Sequence, residues 1–323
     1  MEGEMKFPAG FYWGSATSAY QVEGGIENND WAEAARQGKV PPAGHACDHY
    51  NRYEEDFDIA KSLGQNAHRF SIEWSRIEPE EGKFDEAEIE HYRKVLAALR
   101  ERGMEPFVTL WHFTLPVWFA RMGGFENKKA PFYFSRYCEY VVKNLGRGSG
   151  APKFWVTINE PSVYAYMIFL KNSWPPFRKQ LVPPCFLYFP KVMNAMVASH
   201  NMTYKKIKAS NPAFQVGIAA NLTDFESGRN PFYRLLVKLM TWSLNHKFLL
   251  KIRKCQDFIG LNYYFHKRYG GEDVYDKCDR GFNIYPKGIY NVLKDLKCYH
   301  KPVYVTENGL ADAKDTKRAK FIK

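Results

Sequence analysis

The chain has 323 residues and a formal charge of +11, and its 8 Trp, 21 Tyr and 24 Phe sit within an ordinary globular composition. That length suits one large α/β barrel or two average domains, with enough apolar residues for a full core. No apolar run approaches membrane-spanning length, no nucleic-acid-reading motif accompanies the scattered lysines, and no CxxC pair offers a metal framework. Membrane, nucleic-acid and metal partners are therefore not expected, and no cofactor is called for.

In chain order, short runs rich in β-branched and aromatic residues alternate with longer helical patterns. The runs are Gly10 to Ala16, Ala67 to Ile72, Pro106 to Trp111, Phe154 to Ile158, Gln215 to Ala219, Asp257 to Asn262 and Pro302 to Thr306. Helical stretches are read at Tyr53 to Leu63, at Ile89 to Arg102, at about Lys191 to Ala209 and at Asp315 to Lys323. In the second of these Ile89, Tyr92, Leu96 and Leu99 share one face, and Gly103 is a stop signal. Strand–helix alternation implies a parallel sheet, and no GxGxxG follows any strand, which argues against a dinucleotide fold. The expected architecture is an α/β fold of the (β/α)8 TIM-barrel type, with about seven units visible and residues 1–323 forming a single catalytic domain. The pairs Pro41-Pro42, Pro175-Pro176 and Pro183-Pro184 read as loops at the barrel rim.

The six cysteines, Cys47, Cys138, Cys185, Cys255, Cys278 and Cys298, read as free thiols and favour a reducing compartment. Met1 to Lys6 offer no apolar leader, so a cytoplasmic location is expected. On that reading the triplets at Asn201 and Asn221 carry no glycosylation. The lysine clusters at Lys205 to Lys208 and Lys314 to Lys323 read as solvated faces.

Polar residues recur where the runs end, which is where barrel enzymes place their sites. The first run leads into Gln21 and Glu23, the second carries His68, Arg69 and Ser71, and the third ends in Trp111-His112-Phe113. The fourth ends in Asn159-Glu160-Pro161, the sixth in Asn262-Tyr263-Tyr264 and the seventh in Glu307-Asn308-Gly309. Glu160 and Glu307 each stand at the end of an apolar run. Two carboxylates presented in this way are the minimum equipment for cleaving a glycosidic bond.

Six ordered segments resemble glycoside hydrolase family 1, the β-glucosidase and β-galactosidase family. They are Phe11 to Thr17 with Ala19 to Gly24, Arg69 to Ile77, His112 to Pro116, Thr157 to Pro161, Gly260 to Tyr264 and Thr306 to Gly309. The resemblance implies a retaining double displacement on a terminal β-glucoside or β-galactoside, with Glu160 as acid/base and Glu307 as nucleophile. It assigns Asn159 to the sugar 2-hydroxyl, Gln21 and His112 to the 3-hydroxyl and its neighbours, and Arg69 and Tyr264 to the nucleophile, with Asn262 in support. Trp111 and Trp118 are weaker candidates for aromatic contacts to substrate. A retaining pair stands about 5 Å apart, so the two carboxylates repel and cannot both ionise easily. Glu160 is expected protonated near neutrality and Glu307 ionised.

The family's segment after the nucleophile supplies a last strand and helix, with a Trp and a Glu-Trp pair for the sugar's 4- and 6-hydroxyls. Nothing in this sequence matches those residues. The chain is therefore expected to be short, with open barrel edges at the first and seventh strands that favour poor stability or self-association. The alternative reading is an inactive or non-catalytic member that binds sugar. Retention of both glutamates favours the enzyme.

Overall fold

The apolar runs fold as strands in their expected order. The computed structural model describes residues 6–148, 150–177, 188–272 and 274–322; Cys185 and the pair Pro183-Pro184 lie outside them, as do Met1 to Met5 and Lys323. Seven strands form one parallel sheet: β1 (Gly14–Ala16), β2 (Ala67–Ser71), β3 (Glu105–Thr109), β4 (Phe154–Asn159), β5 (Gln215–Asn221), β7 (Ile259–Tyr263) and β9 (Val303–Asn308). Two more short strands, β6 (Asp224–Ser227) and β8 (His266–Tyr269), pair with each other as a separate two-stranded parallel sheet. The sequence reading did not expect this small sheet.

Residues alternate across the main sheet, as pleating requires. Phe107, Phe154, Phe258 and the flanking Tyr12 and Tyr304 point inward and form an aromatic floor to the barrel. The Phe107 and Phe154 rings stack at 4.2 Å, and Tyr12 sits 6.2 Å from Tyr304, so chain entering β1 meets β9 across the sheet's two ends. Burying each phenylalanine stabilises the fold by roughly 1.5–3 kcal/mol. The sheet is thus a nearly closed barrel of seven strands, although β1 and β9 each keep a single hydrogen-bonded neighbour in it.

The opposite faces of the strands, with Val108, Trp155, Val216 and Ile218, pack under the helices. The helix Glu86–Glu101 shows why those helices form. Asp85 caps it by accepting from Ala87 N at 2.8 Å and Glu88 N at 3.2 Å. Ile89, Tyr92, Leu96 and Leu99 are buried as their spacing implies, and Gly103 ends the run at a φ of 66° that disfavours other residues.

Some boundaries move. The helices read at Tyr53 and Lys191 begin earlier, as His49–Ser62 and Tyr188–Ser210. The last helix is Arg318–Ile322 rather than one starting at Asp315. Asp315 has a φ of 50°, and the Asp312 carboxylate holds Lys317 N at 2.6 Å, so the preceding residues form a turn instead. β7 starts at Ile259 rather than at Asp257, whose side chain accepts from Val216 N at 3.0 Å and Lys208 Nζ at 3.1 Å. Among the described residues Cys47, Cys138, Cys255, Cys278 and Cys298 are free, and no helix is long and apolar enough to cross a membrane.

Candidate active site

β4 and β9 deliver the two glutamates to one rim of the barrel. Glu160 follows β4 directly, with a φ of 45°, before Pro161 opens the helix Pro161–Phe169. This left-handed conformation is strained for a residue with a side chain, and strain of that kind clusters at functional sites. Glu160 N donates to Ala219 O at 2.7 Å, which fixes the turn. Glu307 lies within β9 in register with Asn262 of β7. The pairing of β4 with β5 and that of β7 with β9 both become irregular at this level, where the site residues leave the regular ladder.

Arg69 of β2 is the hub. Its Nη1 donates to Glu307 Oε1 at 2.5 Å, its Nη2 to Asn159 Oδ1 at 2.7 Å and its Nε to Thr109 Oγ1 at 2.9 Å. The second oxygen of Glu307 accepts from the Tyr264 hydroxyl at 2.8 Å. On the other side Asn262 Nδ2 donates to Glu160 Oε1 at 2.8 Å and to Asn159 Oδ1 at 3.2 Å. Asn262 is oriented in turn by Thr306, whose hydroxyl donates to its Oδ1 at 2.7 Å. The carboxylates are therefore joined through Arg69, Asn159 and Asn262.

Asn159 Oδ1 is occupied by two donors, so its amide nitrogen faces His112 Nε2, at 3.3 Å. A donor in that position makes Nε2 the acceptor and places the imidazole proton on Nδ1. That nitrogen has no hydrogen-bond partner among the described residues. Burial lowers the His112 pKa to about 4, so the ring is neutral near pH 7.

The carboxylates are held in opposite states. Burial, then the negative charge of Glu307, raises Glu160 from 4.5 to about 7 against the pull of Asn262, Asn221 and Arg69. Burial would raise Glu307 too, but the Arg69 charge, His112 and the hydrogen bonds from Tyr264 and Arg69 hold it below the ordinary range. Burial and the adjacent Glu307 push the Tyr264 phenol well up, so it remains a donor. Near neutrality the site thus pairs a protonated acid with an ionised carboxylate, the division of labour that acid-catalysed displacement needs.

Arg69, His112, Asn159, Glu160, Asn262, Tyr264 and Glu307 all join this constellation. Gln21 stands on the helix Ala19–Val22 after β1, is exposed, and accepts from Ser18 Oγ at 2.7 Å. No hydrogen bond ties it to the carboxylates among the described residues. The two tryptophans have other employment. Trp111 is fully buried and donates to Thr114 O at 2.8 Å, whereas Trp118 donates to Glu78 O at 2.9 Å and packs edge-on against Trp74.

One residue of the site escaped the sequence reading. Asn221 Nδ2 donates to Glu160 Oε1 at 2.9 Å. The fifth run was read as ending at Ala219, but the strand continues through Asn221. The signal was present in the continued apolar stretch through Ala220. Among the described residues no group of three or more His, Cys, Asp and Glu side chains stands ready to hold a metal ion.

Comparison with known proteins gives a consistent picture. The sequence profile of glycosyl hydrolase family 1 matches residues 3–231. Beta-glucosidase A of Acetivibrio thermocellus is 31% identical, over 99% of this chain and 84% of that protein. A 1,4-beta-D-glucan glucohydrolase of Thermotoga neapolitana is also 31% identical, over 95% of this chain and 83% of its own. Among solved structures, a family 1 β-glucosidase from Thermotoga maritima in complex with isofagomine lactam superposes with a TM-score of 0.89 at 29% identity, covering 98% of this chain and 84% of that one. A β-glycosidase from Pyrococcus horikoshii superposes with a TM-score of 0.88 at 35% identity, covering 98% of this chain and 79% of that one.

Proposed function

The chain belongs to glycosyl hydrolase family 1, and on that premise we propose that it is a retaining β-glycosidase acting on terminal β-linked glucosides or galactosides. Its relatives are named β-glucosidases, glucan glucohydrolases and β-glycosidases, which supports the activity class. In this reading residues 1–323 act as one catalytic barrel. Glu307 is the nucleophile and Glu160 the acid/base. The observation that carries the assignment is the asymmetry around the two carboxylates: Glu307 has a guanidinium and a phenol on its oxygens, whereas the donors to Glu160 among the described residues are neutral amides.

The steps follow from that asymmetry. Ionised Glu307 attacks the anomeric carbon while protonated Glu160 gives its proton to the departing glycosidic oxygen. The carbon–oxygen bond to the leaving group breaks as the ester to Glu307 forms. Esterification removes the Glu307 charge, one of the two influences that raise Glu160, so the Glu160 proton becomes easier to lose. Glu160 then takes a proton from water, which displaces Glu307 and restores the original anomeric configuration. Asn159, held by Arg69 and Asn262, is positioned to hydrogen-bond the sugar 2-hydroxyl as charge develops at the neighbouring carbon.

The test is hydrolysis of aryl β-glucosides and β-galactosides with azide rescue. The Glu307→Ala variant is expected to be inactive and to yield the inverted α-glycosyl azide. The Glu160→Ala variant is expected to yield the retained β-glycosyl azide from an activated substrate. Full activity in either variant, or the opposite pairing of azide products, overturns the assignment. Sugar binding by the parent chain without turnover would make it a binding protein instead.

A further inference from the structure

The segment after β6 carries chemistry that glycoside cleavage does not use. The helix Pro231–Met240 continues through Thr241–His246 into Lys247–Ile252. Along it Phe232, Leu235, Leu239 and Trp242 are exposed by 67, 59, 56 and 52% of their surface. Their spacing at three and four residues makes them one outward ridge, beyond what scattered surface apolar residues amount to. Tyr233, Leu236, Val237 and Met240, half-buried, occupy other faces of the same helix.

Charge says what covers the ridge. From Gly228 to Gln256 the sequence holds Arg229, Arg234, Lys238, Lys247, Lys251, Arg253 and Lys254 and no acidic residue. Every one of those side chains is exposed. Arg234 and Lys238 stand one turn apart beside the ridge, and Lys247 Nζ lies 5.7 Å from the centre of the Trp242 ring. A second copy of the chain would bring like charges together, in a protein already at +11. An anionic bilayer matches both halves of the feature, the apolar ridge entering the headgroup–acyl boundary and the basic residues meeting the lipid phosphates. The aromatic tip of Trp242 suits that boundary as well. A surface-bound helix requires no membrane-spanning stretch.

We propose that the face built by residues 231–254 docks the enzyme reversibly on anionic lipid surfaces. The experiment is co-sedimentation of the full chain with phosphatidylglycerol–phosphatidylcholine vesicles and with pure phosphatidylcholine vesicles, across a salt series. The parent chain is expected to sediment with the anionic vesicles and to be released by salt. The Arg234→Gln/Lys238→Gln variant is expected to bind roughly 25-fold more weakly, at roughly fivefold per lost charge. The Leu239→Ser/Trp242→Ser variant is expected to lose binding while its circular dichroism and aryl-glycosidase activity stay at parental values. Three results each overturn the proposal. One is a parent chain that stays in the supernatant with anionic vesicles. Another is binding that neither variant weakens, which would put the contact elsewhere. The last is a ridge variant that changes only the oligomeric state in gel filtration, which would make the ridge a contact between copies.

Discussion

Replacing Arg69 by Met is the most revealing single change, because it removes the cation bonded to the proposed nucleophile. Arg69 and Glu307 are 5 and 15% exposed, so the pair is shielded from solvent. Deleting one partner of a buried pair costs roughly 3–5 kcal/mol, since the other charge is left uncompensated. At about 1.36 kcal/mol per pH unit, the lower end of that range corresponds to a rise of roughly 2 pH units in the Glu307 ionisation. The Tyr264 hydrogen bond remains and resists a larger one. Because Arg69 holds Glu307 below the ordinary carboxylate range in the parent, the acid limb of kcat/KM is expected to move upward in the variant. The sign for stability follows from the same shift. A carboxylate held low in the folded state stabilises it above its ordinary pKa and ceases to do so as pH falls through the lowered value. Parent and variant should therefore differ in thermal stability at neutrality and converge in acid. The Arg69→Met/Glu307→Gln double variant removes both charges and should recover part of the lost stability. An unmoved acid limb together with a double variant no more stable than Arg69→Met would refute the ion-pair argument.

Other expectations concern the acid side of the pair and the packing below it. Glu160→Gln should lower kcat/KM roughly 10²- to 10⁴-fold for aryl glycosides with poor leaving groups and much less for a dinitrophenyl glycoside, whose departure needs no proton; equal losses would contradict its role as acid. In Asn221→Ala the loss of a hydrogen bond that favours the ionised form should move the alkaline limb, set by Glu160 near 7, upward; a downward move in a pH–rate profile would count against it. Glu307→Gln mimics the uncharged ester, so Glu160 should titrate below about 7 in carbon-13 NMR of that variant, and an unchanged midpoint would remove the proposed acid-to-base switch. In Gly260→Ala the new methyl carbon would meet Ile218 O at 2.6 Å and Thr306 Oγ1 at 2.9 Å, so calorimetry should show a loss of about 1–3 kcal/mol.

Much of the barrel was legible because each strand combines an apolar run with a polar end. The inward column of several strands changes character in a single two-residue step: Ala67 to Arg69 in β2, Phe107 to Thr109 in β3, Tyr304 to Thr306 in β9. The lower residues fill the floor and the upper ones build the hydrogen-bonded site, so alternation alone points to both. Where the apolar signal faded, the reading stopped short, and Asn221 was lost with the end of β5. The small sheet of β6 and β8 was illegible for a different reason. Its strands are half-buried and carry Asp224, Glu226, His266, Lys267 and Arg268, so neither has a continuous apolar face. Each forms through the other, and through pairs such as His266 with Glu226 at 3.2 Å, contacts that one segment read alone cannot announce. The tryptophans failed as indicators because both indole nitrogens are satisfied by nearby backbone carbonyls, which spacing does not reveal.

The division between the two glutamates illustrates what sequence context leaves undecided. Both follow apolar strand residues and both are buried, so desolvation raises each of them. What separates them is the reach of one guanidinium. Arg69 bonds Glu307 directly, but its hydrogen-bonded path to Glu160 runs through the amides of Asn159 and Asn262, and its charge acts on Glu160 more weakly than burial and Glu307 do. Neutral donors offset burial only in part, and the ionised partner adds its own repulsion, so Glu160 keeps its proton. Moving the cation to the other carboxylate would exchange the two protonation states without altering either glutamate's motif. The proposed roles therefore trace to β2, a strand that carries neither carboxylate, through the residue at position 69.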